Sequence, residues 1–493
     1  GSRMLSFNLD RHDSLSLQKQ IYQQIHTALH NGVLTNGERL PSIRELGEKL
    51  QVSRNTITAV YEKLVLEGFI ASRPGVGYNV IRSSRVELPE IKTPQSDLDH
   101  PPSVLQTQAP DTYVDVDSPM FFSLGNPDES SFPWQRWRSW NNKASRSKHL
   151  LMTRYHPPAG LMSLRQELVK YLANARGIHT DPDHIIITNG VQEGLALVAR
   201  TLLTPQEHIA VESPCYSGAW NLFSSCTPHR HAIPVDDFGL QTERLPNQQC
   251  ALAYVTPSHQ YPVGGTLPLE RRKTLLEWSR RSNAYVIEDD YDTTFLYGTQ
   301  PLPALKSLEN ANNVIYLSSF SKTLGPGMRI GFMVCPERLV DPILNLKALW
   351  NHGASWLYQQ FLADFMHDQG YHRHLRKLEI EYGARQKLLC EGLMTLFPQA
   401  KLLGISSGLH ITLKTALSAD TVSQLRERCL HEGVRFDTLG SMCNGSENAY
   451  LAENQDTLML FGFSALSQGH IRLALEIIGK ACRELGISSS GKA

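Results

Sequence analysis

No run of apolar residues in this 493-residue chain reaches the roughly twenty needed to cross a bilayer as a helix, and no apolar signal segment opens it. The leading GSR reads as a remnant ahead of Met4 and is set aside. Net charge is absent too, with 48 Lys plus Arg against 48 Asp plus Glu. Whole-chain balance therefore argues neither for nor against nucleic acid, because an acidic remainder can mask a small basic domain. The eight cysteines (215, 226, 250, 335, 390, 429, 443 and 482) are scattered, without close ligand pairs. That spacing gives no support to a cysteine-based metal cluster; a reduced, cytoplasmic protein is the simplest expectation, although an even count leaves disulfides open. No full glycine-rich dinucleotide fingerprint follows an early strand, which removes support for a nicotinamide enzyme, and no strong internal repeat is present.

The chain does have enough apolar residues, 41% against 19% charged, for a large core and more than one domain. Residues 14–82 have a rhythm of their own. Leu17, Ile21, Ile25 and Leu29 keep helical spacing until Gly32. A second helix is expected from Pro41–Ser42, burying Ile43, Leu46 and Leu50, and Ser53 is a good N-cap for a third, running through Leu66. FIASRPGVGYNV then alternates around a Pro-Gly turn like a small hairpin. Three helices and a hairpin make a winged helix-turn-helix, assigned to residues 5–82.

Residues 83–118 turn to Pro, Ser, Asp and Gln without a sustained apolar period, as an interdomain linker would. From 119 to 487 short apolar runs (HIIITNG, HIAVES, LAYVTPS, AYVIEDD, VIYLSSF, RIGFMV) alternate with helical stretches. That order predicts an α/β domain with a mainly parallel, doubly wound sheet. ITLKTAL, VRFDTLG and LMLFGFSA, beyond 375, suggest a smaller C-terminal lobe.

In a helix-turn-helix the second helix of the motif faces the major groove. Here it begins SRNTITAVY. Ile57, Val60 and Leu64 would face inward; Ser53, Arg54, Asn55, Thr56 and Thr58 offer polar groups to DNA, and Tyr61 is expected to reach its backbone. Arg54 suits a guanine edge and Asn55 an adenine edge, and a phosphate contact explains either as well. Arg44 reads as a phosphate clamp, and Arg73 and Gly75 lie at the wing tip. Residues 1–82 carry ten Lys or Arg and seven Asp or Glu, a net of +3. On pattern alone a compact three-helix module also serves protein interaction.

The stretch SSFSKTLGPGMRIG places Lys322 among hydroxyls, after a strand and before a glycine-rich turn with Arg329. If pyridoxal phosphate (PLP) is held here, Lys322 supplies the amine, Ser319 and Ser321 supply hydroxyls, and Arg329 is the phosphate cation. In IEDDYDTTF, Asp289 suits the pyridine nitrogen and Tyr291 the ring oxygen, since residues two apart at a strand end share a side. Asp290 and Asp292 are then structural or solvent-facing. ITNGVQEG would lend the backbone amides of Val191 and Gln192 to a phosphate, Tyr216 would stack on the ring, and His259 and Gln260 lie near the ring oxygen. A lone histidine in such a loop is more often structural.

The run LSLQKQIYQQIHTALHNG…PSIRELGEKLQVSRNT…GVGYNV resembles the winged-helix domain of GntR-family bacterial transcription regulators, which implies double-stranded promoter DNA as partner. The remainder resembles the fold type I aminotransferases, the class that includes aspartate aminotransferase. Two implications come from that resemblance alone. RYHPPAGLMSLRQELVKYL matches an early block in which Tyr155 would reach the cofactor phosphate of the opposite subunit of a dimer. GHIRLAL matches the substrate-carboxylate block and nominates Arg472 to clamp a carboxylate or sulfonate. The chain departs from the pattern at TPSHQYPVGG, where the family has Asn-Pro-x-x-Pro-x-Gly, and at Asp289-x-Tyr291, shortened from Asp-x-x-Tyr. Both departures weigh more against ordinary transaminase efficiency than against cofactor binding.

Together the halves resemble the MocR (GabR-like) subfamily. The resemblance implies a PLP aldimine at Lys322, an amino compound or PLP itself as effector, a head-to-tail homodimer, and RNA polymerase as a candidate further partner. A working aminotransferase with an accessory DNA-binding domain is the alternative, and a DNA-binding protein on a cofactor-free scaffold is a third.

Overall fold

The computed structural model describes residues 5–82, 96–99, 109, 120–147, 152–298, 303–442 and 449–487. The chain divides into two compact units, Gly1–Pro101 and Pro102–Ala493. The expected linker lies outside the described residues except for 96–99 and 109, which belong to no helix or strand.

In the first unit three helices, α1 (Leu17–His30), α2 (Ile43–Leu50) and α3 (Arg54–Leu66), precede the antiparallel wing strands β1 (Ile70–Arg73) and β2 (Gly77–Val80). Side chains fix the helix starts. Ser16, Ser42 and Ser53 each accept from a first-turn amide, and Ser42 and Glu45 form a reciprocal capping box. Ile21, Ile25, Leu29, Leu46, Ile57, Val60 and Leu64 close one core.

The second unit holds strands β3 (Met120–Phe121), β4 (Ile185–Thr188), β5 (Ile209–Ser213), β6 (Arg230–Asp236), β7 (Gly239–Leu240), β8 (Leu252–Val255), β9 (Tyr285–Asp289), β10 (Val314–Ser319), β11 (Gly331–Val334), β12 (Lys401–Leu403), β13 (His410–Lys414), β14 (Val434–Arg435), β15 (Asp437–Thr438) and β16 (Met459–Gly462). Eight of them form one sheet in the order β4-β11-β10-β9-β8-β5-β6-β7. Strands β10, β9, β8, β5 and β6 run parallel to one another, while β11 is antiparallel to β10 and β4, and β7 to β6. All six apolar runs marked in the sequence are strands. Strand β6, RHAIPVD, carries Arg230, His231 and Pro234 and so shows no continuous apolar run.

Successive residues feed different cores, as a two-sided sheet requires: Ile185 and Ile187 enter one cluster and Ile186 another. The smaller lobe is a four-stranded sheet, β12-β13-β16-β15, with helices Gly370–Leu396, Ala419–His431 and Gln468–Glu484 around it. An arm at the start of the unit is stitched to that lobe. Strand β3 pairs with β14, and the Gly462 amide donates to the Phe122 carbonyl at 3.1 Å. Gly462 leaves room for this crossing, since a Cβ there would lie 1.7 Å from the Ser123 oxygen.

Candidate functional site

The cleft lies beyond the carboxyl ends of the parallel strands, where such sheets hold their ligands. Lys322 follows β10. Its Nζ donates to the Gly125 carbonyl at 2.9 Å. Burial lowers the amine's pKa, opposed by the charges of Asp292 and Asp289. A lowered pKa favours the neutral, nucleophilic amine that condensation with an aldehyde requires.

Asp289 ends β9. One carboxylate oxygen accepts from the Tyr254 hydroxyl at 2.5 Å; the other, Oδ1, is buried with no hydrogen-bond partner. Burial raises its pKa to about 7. An orphaned carboxylate oxygen is costly unless a donor arrives, and a protonated pyridine nitrogen is such a donor. Its neighbour Asp290 is different. Arg176 donates to it at 2.7 Å, and Tyr316 and Thr293 fill its remaining capacity.

Helix α4 (Trp134–Ala144) and α5 (Met162–Arg176) precede α6 (Gly190–Leu202), whose start has no side-chain cap. The first-turn amides of Gly190, Val191 and Gln192 therefore remain available to an anion. Arg329, held at φ +54°, lies over that turn and donates to the Asn189 carbonyl at 2.9 Å. Gly190, at φ +80°, admits it: a Cβ there would lie 2.8 Å from Arg329 Nη2. Gln192 also contributes a side chain, accepting from the Tyr216 hydroxyl at 2.9 Å and donating to the Gly218 carbonyl at 3.0 Å. Ser319 Oγ accepts from the Ser321 amide at 3.3 Å. This donor set fits a phosphorylated pyridine aldehyde: an amine, a free carboxylate oxygen, a guanidinium and an uncapped helix.

Other expected residues sit differently. Gln260 is fully buried, its amide spent on Glu212, Pro214 and Val263 at 3.1, 2.8 and 3.0 Å. His259 is buried beside Asp292 and Tyr291. Asp292 is itself buried rather than solvent-facing. Tyr155 is 85% exposed, its ring against His352. Arg472 is exposed on helix Gln468–Glu484, whose buried face is set by Ile471, Ala474 and Ile478. Tyr254 and Gly125 were missed in the sequence. The parallel pairing of Tyr254 with Ile287 foreshadows the first, because it sets the tyrosine beside the β9 end; nothing local marks the second.

In the first unit Arg54 and Asn55 are exposed at the start of α3 and Arg73 on the wing. Gly75 makes the wing turn at φ +77°. Ser53 is occupied as the cap, and Thr58 donates to the Arg54 carbonyl at 2.9 Å. Arg44 pairs with Glu48 at 3.1 Å on the surface. Tyr61 is corrected: it is a core residue, fully buried, whose hydroxyl donates to the Pro41 carbonyl at 2.7 Å. Residues 57, 60, 61 and 64 form one helical stripe, so Tyr61 faces inward with the others.

Residues 17–80 match the model for bacterial regulatory proteins of the gntR family, and residues 119–435 match aminotransferase class I and II. A probable rhizopine catabolism regulatory protein, MocR, of Rhizobium meliloti is 32% identical over 388 residues, covering 77% of this chain and 78% of its own. This chain belongs to the MocR-type GntR-family regulators. An uncharacterized HTH-type transcriptional regulator of Bacillus subtilis, YdeL, is 30% identical across 94% of this MocR-type chain and 96% of its own. A pyridoxine biosynthesis regulator of Corynebacterium glutamicum, PdxR, is 29% identical across 97% and 98%. Among solved structures, an archaeal alanine:glyoxylate aminotransferase shares the fold at TM-score 0.67 and 23% identity, over 74% of this chain and 91% of its own.

Proposed function

We propose that this MocR-type regulator binds promoter DNA through its winged helix and senses PLP, or an amino compound presented to it, through Lys322. The observation that carries the reading is the buried, partnerless Oδ1 of Asp289 in a cleft with a buried amine of lowered pKa. PLP supplies an aldehyde for the Lys322 amine and an electron-withdrawing ring. Asp289 would hold the ring nitrogen, Tyr291 would meet the ring oxygen, Tyr216 would stack on the ring, and Val191, Gln192, Ser319, Ser321 and Arg329 would hold the phosphate. Of the two signals, PLP itself is the one for which the cleft supplies a matching donor set. The name of the Corynebacterium relative, a pyridoxine biosynthesis regulator, agrees with that choice.

The chain acts as a cytoplasmic homodimer in this reading, and Tyr155 awaits the opposite subunit. Its exposure fits that role, as do those of Met152 at 74% and Leu349 at 84%. Among the described residues no helix is long and apolar enough to cross a membrane. Titrating the full-length protein with PLP tests the reading: a visible absorption band should appear, vanish in Lys322→Ala, and accompany a change in affinity for promoter fragments. Absence of the band in the folded protein overturns it. Rapid multiple-turnover transamination would favour the enzyme alternative.

A further inference from the structure

His259 is 2% exposed, in the loop after β8. Its Nδ1 lies 3.0 Å from each Asp292 carboxylate oxygen and 3.0 Å from the Tyr291 hydroxyl. One nitrogen facing a carboxylate on two sides must carry its proton, for otherwise lone pairs would meet. The same N–H then points toward the Tyr291 oxygen as well, leaving the phenolic hydrogen free to point elsewhere. Tyr291 is half-buried, between buried Asp290 and Asp292.

The smaller lobe closes the arrangement from the other side. The Leu409 amide donates to Asp292 Oδ2 at 3.2 Å, and the His410 ring of β13 packs against His259 at 4.8 Å between centroids, tilted by 42°. Gly408 and Gly404 let the lobe come this near: a Cβ at 408 would lie 2.4 Å from Asp292 Oδ2, and one at 404 would lie 2.8 Å from His259 Nε2. His410 donates from Nε2 to the Pro262 carbonyl at 3.0 Å and stays neutral, its pKa pushed down to about 3 mainly by burial.

We infer that His259 and Asp292 are positioning residues for Tyr291: the pair holds the tyrosine oxygen as an acceptor, so that its hydrogen is donated into the cleft, and ties that donor to the backbone of the smaller lobe at Leu409. The inference rests on the PLP reading of the cleft. It assigns a purpose to two buried polar groups, His259 and Asp292. It also explains how a chain with TPSHQYPVGG provides a fixed donor to the ring oxygen although Gln260 is committed elsewhere.

The test uses full-length protein loaded with PLP, following the visible band against pH in wild type, Tyr291→Phe, His259→Leu, His259→Asn and the double variant Tyr291→Phe/His259→Leu. Loss of one hydrogen bond to the ring oxygen should displace the titration midpoint by about one pH unit. The displacement should be the same in Tyr291→Phe and His259→Leu, no larger in the double variant, and reversed in His259→Asn, whose amide places a donor near the lost Nδ1–H. A purely structural histidine would leave the midpoint of His259→Leu at the wild-type value while Tyr291→Phe moved, and that result overturns the inference. A second readout needs no cofactor. In ligand-free protein with 15N-labelled histidine, the signal lost in His259→Leu should report a protonated Nδ1 that Asp292→Asn perturbs. An unprotonated Nδ1 overturns the pairing. A missing visible band with the expected imidazole signal faults the cofactor reading and leaves the pairing standing. Stoichiometric divalent metal in the purified protein, lost in His259→Leu, also overturns the inference, by making His259, Asp292 and His410 ligands instead.

Discussion

The two units keep their functional groups in opposite conditions. In the winged helix the core is chemically complete: its serine caps are filled, Tyr61 is bonded to Pro41, and the candidate DNA contacts Arg54 and Asn55 stand in water. In the large unit the key groups are buried and unfinished, with Asp289 Oδ1 lacking a partner and α6 lacking a cap. A surface that meets a polyanion gains from solvated cations that reach across salt and water. A pocket that holds one small molecule gains from polar atoms whose desolvation has already occurred and which the ligand alone satisfies. The same residue type therefore needs a different reading in each unit.

Substitutions that treat the two units alike should break this contrast or sharpen it. Lys322→Ala should abolish the visible band with PLP while leaving basal DNA affinity of the winged helix within a factor of about two, as absorbance and fluorescence anisotropy will show. Asp289→Asn should weaken PLP by at least about tenfold with little loss of stability, whereas Asp290→Asn removes the carboxylate charge paired with the buried Arg176 and should cost about 3 kcal/mol in a denaturant titration. If both behave alike, the distinction between unfinished and finished carboxylates fails.

Arg54→Ala should lower DNA affinity about tenfold and reduce its salt dependence, with no change in the visible spectrum. Protonation gives a further test. Because the folded-state pKa of Asp289 is raised to about 7, its stabilising contribution is full below the unfolded value near 4 and is lost as pH rises through about 7. Ligand-free wild type should lose melting temperature over that window relative to Asp289→Asn. The smallest effect belongs to Ser53→Ala, about 1 kcal/mol from a lost helix cap, visible in stability and absent from PLP binding.

Much of the architecture was legible because apolar periodicity is a local property. Ile21, Ile25 and Leu29 announce α1, and HIIIT, IAVES and YVIED announce strands, without knowledge of any neighbour. Errors arose where a side chain's direction depends on the exact face it shares. Tyr61 belongs to the inward stripe of α3 despite its hydroxyl. GHIRLAL, matched to the substrate-carboxylate block, lies in a helix that Ser467 caps through the His470 amide and whose buried face Ile471, Ala474 and Ile478 set. The Tyr254–Asp289 bond and the His259–Asp292 pair join positions 35 and 33 residues apart, and only sheet register brings them together.

The bond from Lys322 to Gly125 works as a latch. It joins positions 197 residues apart, and Gly125 lies on the arm by which the chain enters the large unit. A Cβ at position 125 would sit 1.7 Å from the lysine nitrogen, so the residue is a strike plate cut to fit its bolt. Any molecule that claims the amine must withdraw it from that carbonyl. If a ligand takes the amine as proposed, the Gly125 carbonyl loses its donor, so the contact given up lies on that entering arm.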